Sequence, residues 1–196
     1  MADDNTLSPL DPAQWDASLA PVLADMKGNP LNVHRLMAHH PALLSAWWNF
    51  RNHSVNGGAL GRRHGELVIL RVGLLLGAWY EWSAHVDRAL ACGMTLEEIE
   101  RVKDGPEAAG WSPADAALLR AVDTLYHHRR LDPATEALVR THFTVPQVMD
   151  IMAIGGMYVI LGNMINTWGL PLDPGLEERL PPGVTKAEFE AAARKV

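Results

Sequence analysis

Glu81 and His85 stand four residues apart, so on a helix they share one face. Glu66 lies one helix earlier, in an otherwise apolar run, and its stripe at i+4, i+7 and i+11 is Leu70, Gly73 and Gly77. Glycines beside an ionisable side chain leave room for a ligand or for a close helix crossing. A carboxylate in apolar surroundings has its charged form disfavoured, which brings it towards the range of a working acid. An imidazole beside a carboxylate is oriented by it and stabilised when protonated. Two carboxylates and a histidine therefore suffice for proton donation and abstraction near neutral pH, without metal or cofactor.

Plainer roles compete with that one. Glu81 and His85 also fit a surface pair worth about 0.2–0.5 kcal/mol, and Glu66 fits a solvated glutamate at a helix start, where the dipole favours it. Trp47, Trp48, Trp79 and Trp82 read as core and interface packing rather than a ligand cage. His39-His40 and His127-His128 fall near helix ends and read as solvated caps. Asn163 and Asn166 lie one turn apart on an apolar helix; either they cap its end, or one of them contacts the ligand or orients His85. A di-iron site would need Glu and His at i and i+3 on two helices; here the spacing is i+4 and occurs once, so no metal is expected. The zinc-protease signature, the phosphate-cradling glycine loop and the nucleophile elbow are all missing from the sequence.

The elements that must position these groups read as helices throughout. Leu31 to His39 and Ala42 to Val55 form two short helices split by Pro41, and Asn56-Gly57-Gly58 stops the second. Arg62 to Trp79 is rich in apolar residues, and Tyr80 to Ala91 continues it after a bend near Gly77, ending at Gly93. Thr95 with Glu98 predicts a capping box. Ser112-Pro113 and Asp132-Pro133 start two further helices with proline where no donor is lost. Thr144 with Gln147 opens the longest helix, closed by Gly169 with Pro171 beyond. No segment alternates with period two, so the fold class is all-α, a single-domain helical bundle. Residues 1–30 read as an amino-terminal arm, 31–169 as the helical domain, and 170–196 as a proline-rich arm with a short helix started by Thr185 and Glu188.

Composition bounds the partners. With 48% hydrophobic and 20% charged residues the chain is an ordinary globular one, and a net charge of −6 argues against nucleic acid or an anionic membrane. One cysteine, Cys92, allows no intrachain disulfide. Met1-Ala2-Asp3-Asp4-Asn5 lacks the basic start and apolar stretch of a leader. The run Ile151 to Gly162 falls short of the ~18–20 residues of a membrane span, so a cytoplasmic protein is expected. Seven tryptophans and two apolar helices offer more apolar surface than one thin layer buries, so a homo-oligomer is expected too.

The stretch Arg63-His64-Gly65-Glu66-Leu67-Val68-Ile69-Leu70-Arg71-Val72, followed by Gly77-Ala78-Trp79-Tyr80-Glu81-Trp82-Ser83-Ala84-His85, resembles the carboxymuconolactone decarboxylase family, whose superfamily includes the alkyl hydroperoxidase D proteins. The likeness runs on through Ala89, Gly93 and Thr95 to Ile99, and more loosely to Asn166. It implies an all-helical bundle assembled as a trimer or hexamer. The peroxidase branch carries a glutamate, a Cys-x-x-Cys pair and a histidine; Glu66 and His85 match the outer two, while Ala78 and Glu81 stand at the thiol positions. Without those thiols the disulfide-forming peroxidase cycle is not expected. The decarboxylase branch acts without a cofactor on a carboxylated muconolactone, releasing carbon dioxide and protonating the resulting carbanion. The resemblance places Arg63, Glu66 and His85. Glu81 as a catalytic partner, Arg71 as a cation for the substrate, and Tyr80 and Asn163 as substrate contacts are added from the residues themselves.

Two functions follow. One is a cofactor-free lyase or isomerase acting on a small carboxylated cyclic substrate through Glu66, Glu81 and His85, with Arg63, Arg71, Tyr80 and Asn163 holding the substrate. The other is a non-catalytic ligand-binding or scaffold oligomer of the same fold, which predicts Glu81 and His85 solvated and far from any cavity.

Overall fold

The computed structural model describes residues 7–196, and Met1 to Asn5, read as lacking the features of a leader, fall outside them. The described residues contain helices and no strand, in the order α1 (Ala20–Asp25), α2 (Asn32–Met37), α3 (Pro41–Arg51), α4 (Arg62–Leu75), α5 (Trp79–Ala91), α6 (Leu96–Arg101), α7 (Pro113–His128), α8 (Pro133–Arg140), α9 (Val145–Trp168), α10 (Leu176–Arg179) and α11 (Lys186–Ala193). The chain is all-α.

The caps fall where the sequence places them. Thr95 accepts from Glu98 N while Glu98 reaches back to Thr95 N, and Ser112 and Asp132 accept at the starts of α7 and α8. Gly169 ends α9 in the left-handed conformation. Two details differ. α3 stops at Arg51 and passes into a π-helical turn, Asn52–Gly57. The segment 62–79 is cut at Leu75 rather than merely bent, because Gly77 takes φ +62 and sets α5 back against α4.

α4 is the central element, buried from Gly65 to Leu75 and packed on α5, α7 and α9. That explains its near-continuous apolar sequence, since a helix enclosed on all sides has no polar face. Its last carbonyls are claimed by other helices: Tyr126 Oη donates to Leu75 O at 3.0 Å, and Asn166 Nδ2 to Leu76 O at 2.8 Å. Gly162 of α9 sits over this joint so closely that a Cβ there would lie 2.5 Å from Leu76 Cδ1. α9 is long and apolar enough to match a membrane span by length and composition, yet half of that stretch is buried inside the fold, as in a core helix.

Both ends of the described residues pack on this frame. Leu19 and Val22 join the core, and at the other end Phe189 is fully buried against Trp79 and Trp82. Asp173 ties the 170–184 segment down, accepting from Tyr80 Oη at 2.6 Å and from Asn32 N at 2.7 Å.

Candidate active site

α4 and α5, folded back on each other, bring Glu66 and His85 into contact: Glu66 Oε2 lies 2.6 Å from His85 Nδ1, and His85 is fully buried. The other ring nitrogen, Nε2, has three neighbours. Arg88 Nη1 donates to it at 2.7 Å, Tyr158 Oη lies at 3.2 Å, and Glu81 Oε1 at 3.3 Å. A guanidinium can only donate, so with Arg88 in place Nε2 carries no proton and the neutral ring donates from Nδ1 to Glu66. The contact to Glu81 becomes a hydrogen bond only when Nε2 is protonated.

The electrostatics keep both forms within reach. Burial drives the imidazole towards neutrality and Arg88 adds to that, but Glu66 above all, with help from Glu81, more than offsets them, and His85 is raised above its ordinary value. Tyr158 is raised well above the usual phenol range, first by burial and then by Glu81, so it stays a neutral hydroxyl. His34, on α2, is lowered to about 3 by burial and then by the cations Arg51 and Arg88. It stays neutral, with Nδ1 accepting from Leu31 N at 3.1 Å.

All three neighbours of Nε2, namely Glu81, Arg88 and Tyr158, line one cavity of about 50 Å³, together with His34, Trp47, Arg51 and Tyr80. Its polar groups are not saturated. Glu81 Oε2 and Trp47 Nε1 are buried without a hydrogen-bond partner, a costly condition that in a native fold usually marks a place for a ligand or water. A larger hollow of about 210 Å³ between α4, α7 and α9 is almost wholly apolar, lined by Val72, Leu125, Tyr126, Ile151 and Met152 among others, with no carboxylate, imidazole or cationic side chain in its wall. The clustered acid–base groups lie at the smaller one.

The predicted residues divide. Glu66, Glu81 and His85 come together, buried, so the solvated surface pair and the solvated glutamate do not apply. Tyr80 lends its ring to the cavity wall, while its hydroxyl is turned to Asp173. The other three candidate substrate contacts lie away from this cavity. Arg63 is held by Asp115 at 2.8 Å and Glu98 at 2.7 Å, outside the cavity. Arg71 grips Asp123 through Nε and Nη2 at 2.6 and 2.8 Å and donates to Val102 O, pinning α4 to α7. Asn163 is exposed, its carbonyl accepting from Thr167, and has no contact with His85. The α9 residue that reaches His85 is Tyr158.

Arg88, Tyr158, His34, Arg51 and Trp47 are the site residues that the sequence reading missed or placed elsewhere. Arg88 alone had a local signal, standing one turn beyond His85 and two beyond Glu81 on the same face. Among the described residues no group of three or more His, Cys, Asp or Glu side chains is arranged to hold a metal ion.

Comparison with known proteins agrees with this architecture. Residues 41–124, which include α4 and α5 with Glu66 and His85, match the model of the Carboxymuconolactone decarboxylase family. No curated protein matches the chain. Among solved structures, an uncharacterized peroxidase-related protein from Ralstonia eutropha JMP134, described as an alkylhydroperoxidase AhpD core, superposes with TM-score 0.76 at 19% identity, covering 89% of this chain and 98% of that one. The debrominase Bmp8 in complex with 2,3,4-tribromopyrrole superposes with TM-score 0.74 at 15% identity, covering 88% and 94%. A peroxidase-related protein from Silicibacter sp. TM1040 does so with TM-score 0.73 at 14% identity, covering 90% and 97%. At such identities these likenesses speak for the fold. Residues 41–124 thus resemble the carboxymuconolactone decarboxylase family, and the whole bundle has the fold of the alkylhydroperoxidase AhpD core.

Proposed function

We propose that the protein is a cofactor-free acid–base enzyme of the decarboxylase or isomerase kind, acting on a small carboxylated cyclic substrate. One observation carries the reading: His85 is oriented by Glu66 on one nitrogen, and every neighbour of its other nitrogen lines a single under-saturated cavity. An imidazole held in one tautomer by a carboxylate, with its second nitrogen towards a ligand space, is the arrangement that general acid–base catalysis requires. In a decarboxylation, the carbon–carboxylate bond breaks, its electron pair passes into the conjugated lactone, and carbon dioxide leaves. Arg51 and Arg88 stabilise the developing anion. With Arg88 turned to that anion, His85 Nε2 takes a proton from solvent and passes it to the carbon, either directly or by way of Glu81. The missing thiol pair argues against the peroxidase cycle, since Ala78 and Glu81 occupy those positions. The non-catalytic reading gains nothing from a buried, cavity-side cluster.

The test is turnover of carboxymuconolactone and related lactone acids by purified protein, with Glu66→Gln and His85→Ala as controls that keep their helical circular dichroism. Loss of activity in both supports the site; full activity in both removes it. We also propose self-association through α9, which exposes Val145, Met149, Met152 and Ile160 on one side. A single monomeric mass by light scattering at micromolar concentration ends that part.

A further inference from the structure

The cavity beside His85 has room for a few water-sized groups but not for a ring-bearing acid, since small-molecule pockets run to about 300–1,000 Å³. A second hollow of about 140 Å³ adjoins it, lined by Asp87, Asp173, Leu176 and Arg179. The two share three wall residues, Leu31, Ala84 and Arg88. Ala84 is too short to close anything, and Leu31 is neutral. Arg88 is therefore the charged partition between them, and its guanidinium sits on the lone pair of His85 Nε2 at 2.7 Å.

We infer that Arg88 masks His85 in the empty protein and is drawn off it by the ligand's own anionic group, so that the acid–base nitrogen is released only when a carboxylate-bearing molecule arrives. The inference rests on the acid–base reading of His85 and adds to it a source of selectivity. A neutral analogue of the same shape cannot compete for the guanidinium, so it leaves Nε2 occupied. An anion can, because a charge-assisted pair between guanidinium and carboxylate is stronger than a guanidinium bond to a neutral nitrogen. Once Arg88 moves, the two hollows join, and Nε2 is left facing Tyr158 and Glu81.

The charges around the ring agree with such a balance, and the adjoining hollow adds Asp87, paired with Arg179 at 3.5 Å, and Asp173, which accepts from Tyr80 Oη and Asn32 N. α4 supplies Glu66, α5 supplies Glu81 and Arg88, and α3 supplies Arg51, while His34 of α2 and Tyr158 of α9 remain neutral. Two carboxylates and two guanidiniums cancel while His85 is neutral. Protonating His85 adds one positive charge, which an anionic ligand compensates. Trp47 Nε1, buried in the cavity wall with no partner, is a further donor for that ligand.

The experiment is an NMR titration of histidine-labelled protein, with the His85 signal assigned by its loss in His85→Gln. It is run with acetate and benzoate, and with acetamide and benzamide as their neutral matches. Both carboxylates are expected to raise the apparent His85 pKa by half a unit or more, and neither amide to move it. In Arg88→Met the His85 pKa starts about one unit higher than in the wild type, because a cation has been removed, and no longer responds to carboxylate. No response to either carboxylate in the wild type, or an equal response to the amides, overturns the inference; those arms need no variant to fold. Turnover is not required, so the outcome is separable from the enzyme reading. If His85→Ala abolishes activity while the titration is flat, only the masking role of Arg88 falls.

Discussion

α4 enters ionic clusters of two kinds, and they differ in one respect. Arg63 and Arg71 enter pairs in which the guanidinium is met by well-placed carboxylate oxygens, with Ser112 completing Asp115 and Val102 O completing Arg71. Glu66 enters a cluster in which one nitrogen of His85 has three competing neighbours and Glu81 keeps an oxygen with no partner. Arg71 and Glu66 are equally buried and both link α4 to another helix, so burial and pairing do not distinguish a site from a clamp. Saturation does: a satisfied ion pair has one arrangement and holds helices together, whereas an under-satisfied one beside a cavity has two, and chemistry needs two.

The strongest way to break this comparison is at His85. His85→Ala is expected to lower kcat/KM by about 10²–10⁴, the usual contribution of a general acid–base group, while the melting temperature moves far less than the rate. If rate and stability fall together, the cluster is a second clamp. His34 sharpens the contrast through pH. Its folded value of about 3 lies below the ordinary 6.5, so the unfolded chain binds a proton that the folded chain refuses. Stability therefore falls as pH drops from 6.5 towards 3, by up to about 4 kcal/mol. Asp115 is lowered from 3.8, burial being outweighed by hydrogen bonds from His64, Arg63 and Ser112, and so releases its stabilisation only below about pH 4. His85 acts oppositely, its contribution being full below its unfolded value and lost as pH rises through the raised folded one. In urea melts across pH, His34→Gln should remove the loss between 6.5 and 4 and leave the steeper loss below it. An unchanged profile would mean that His34 is not the group responsible.

Arg71→Met tests the clamp. It strands Asp123, and since that carboxylate is about one-fifth exposed the cost is expected near 3 kcal/mol rather than more. The residual folded protein should keep its turnover, and a selective loss of kcat would return Arg71 to the substrate. Asn163→Leu is the smallest change. At an exposed position without side-chain partners it should alter stability by less than about 0.5 kcal/mol and leave the rate unchanged.

What the sequence yields and what it withholds have separate causes. Caps, stops and the apolar character of α4 and α9 are local, and they read correctly because Thr95, Ser112, Asp132 and Gly169 act on their own backbone neighbours. The meeting of Glu66 with His85 came through the family resemblance, which carries information about the α4–α5 packing. Arg63 and Arg71 were misjudged because nearness in sequence to Glu66 is not nearness in space. At about 100° per residue, Arg71 points some 140° away from Glu66, while Arg63 lies a full turn down at the open end of α4. Tyr158, Trp47 and His34 arrive from α9, α3 and α2, and no spacing rule joins three separate helices. Of the three, Tyr158 alone left a trace, as the one phenol within an aliphatic helix; the unpartnered N–H of Trp47 shows only in the folded chain.

The joint between α4 and α5 has a mechanical consequence. With Leu75 O and Leu76 O held by side chains from α7 and α9, and Gly162 seated against Leu76, the two helices form a calliper whose pivot is bolted from both sides. Such a pivot has no cheap partial opening, so amide hydrogens around 73–78 should exchange only through whole-molecule unfolding. The Glu66–His85 gap is then fixed for as long as the bundle exists. On slow heating, activity and ellipticity should disappear together, with no range of temperature in which a folded chain has already lost its working geometry.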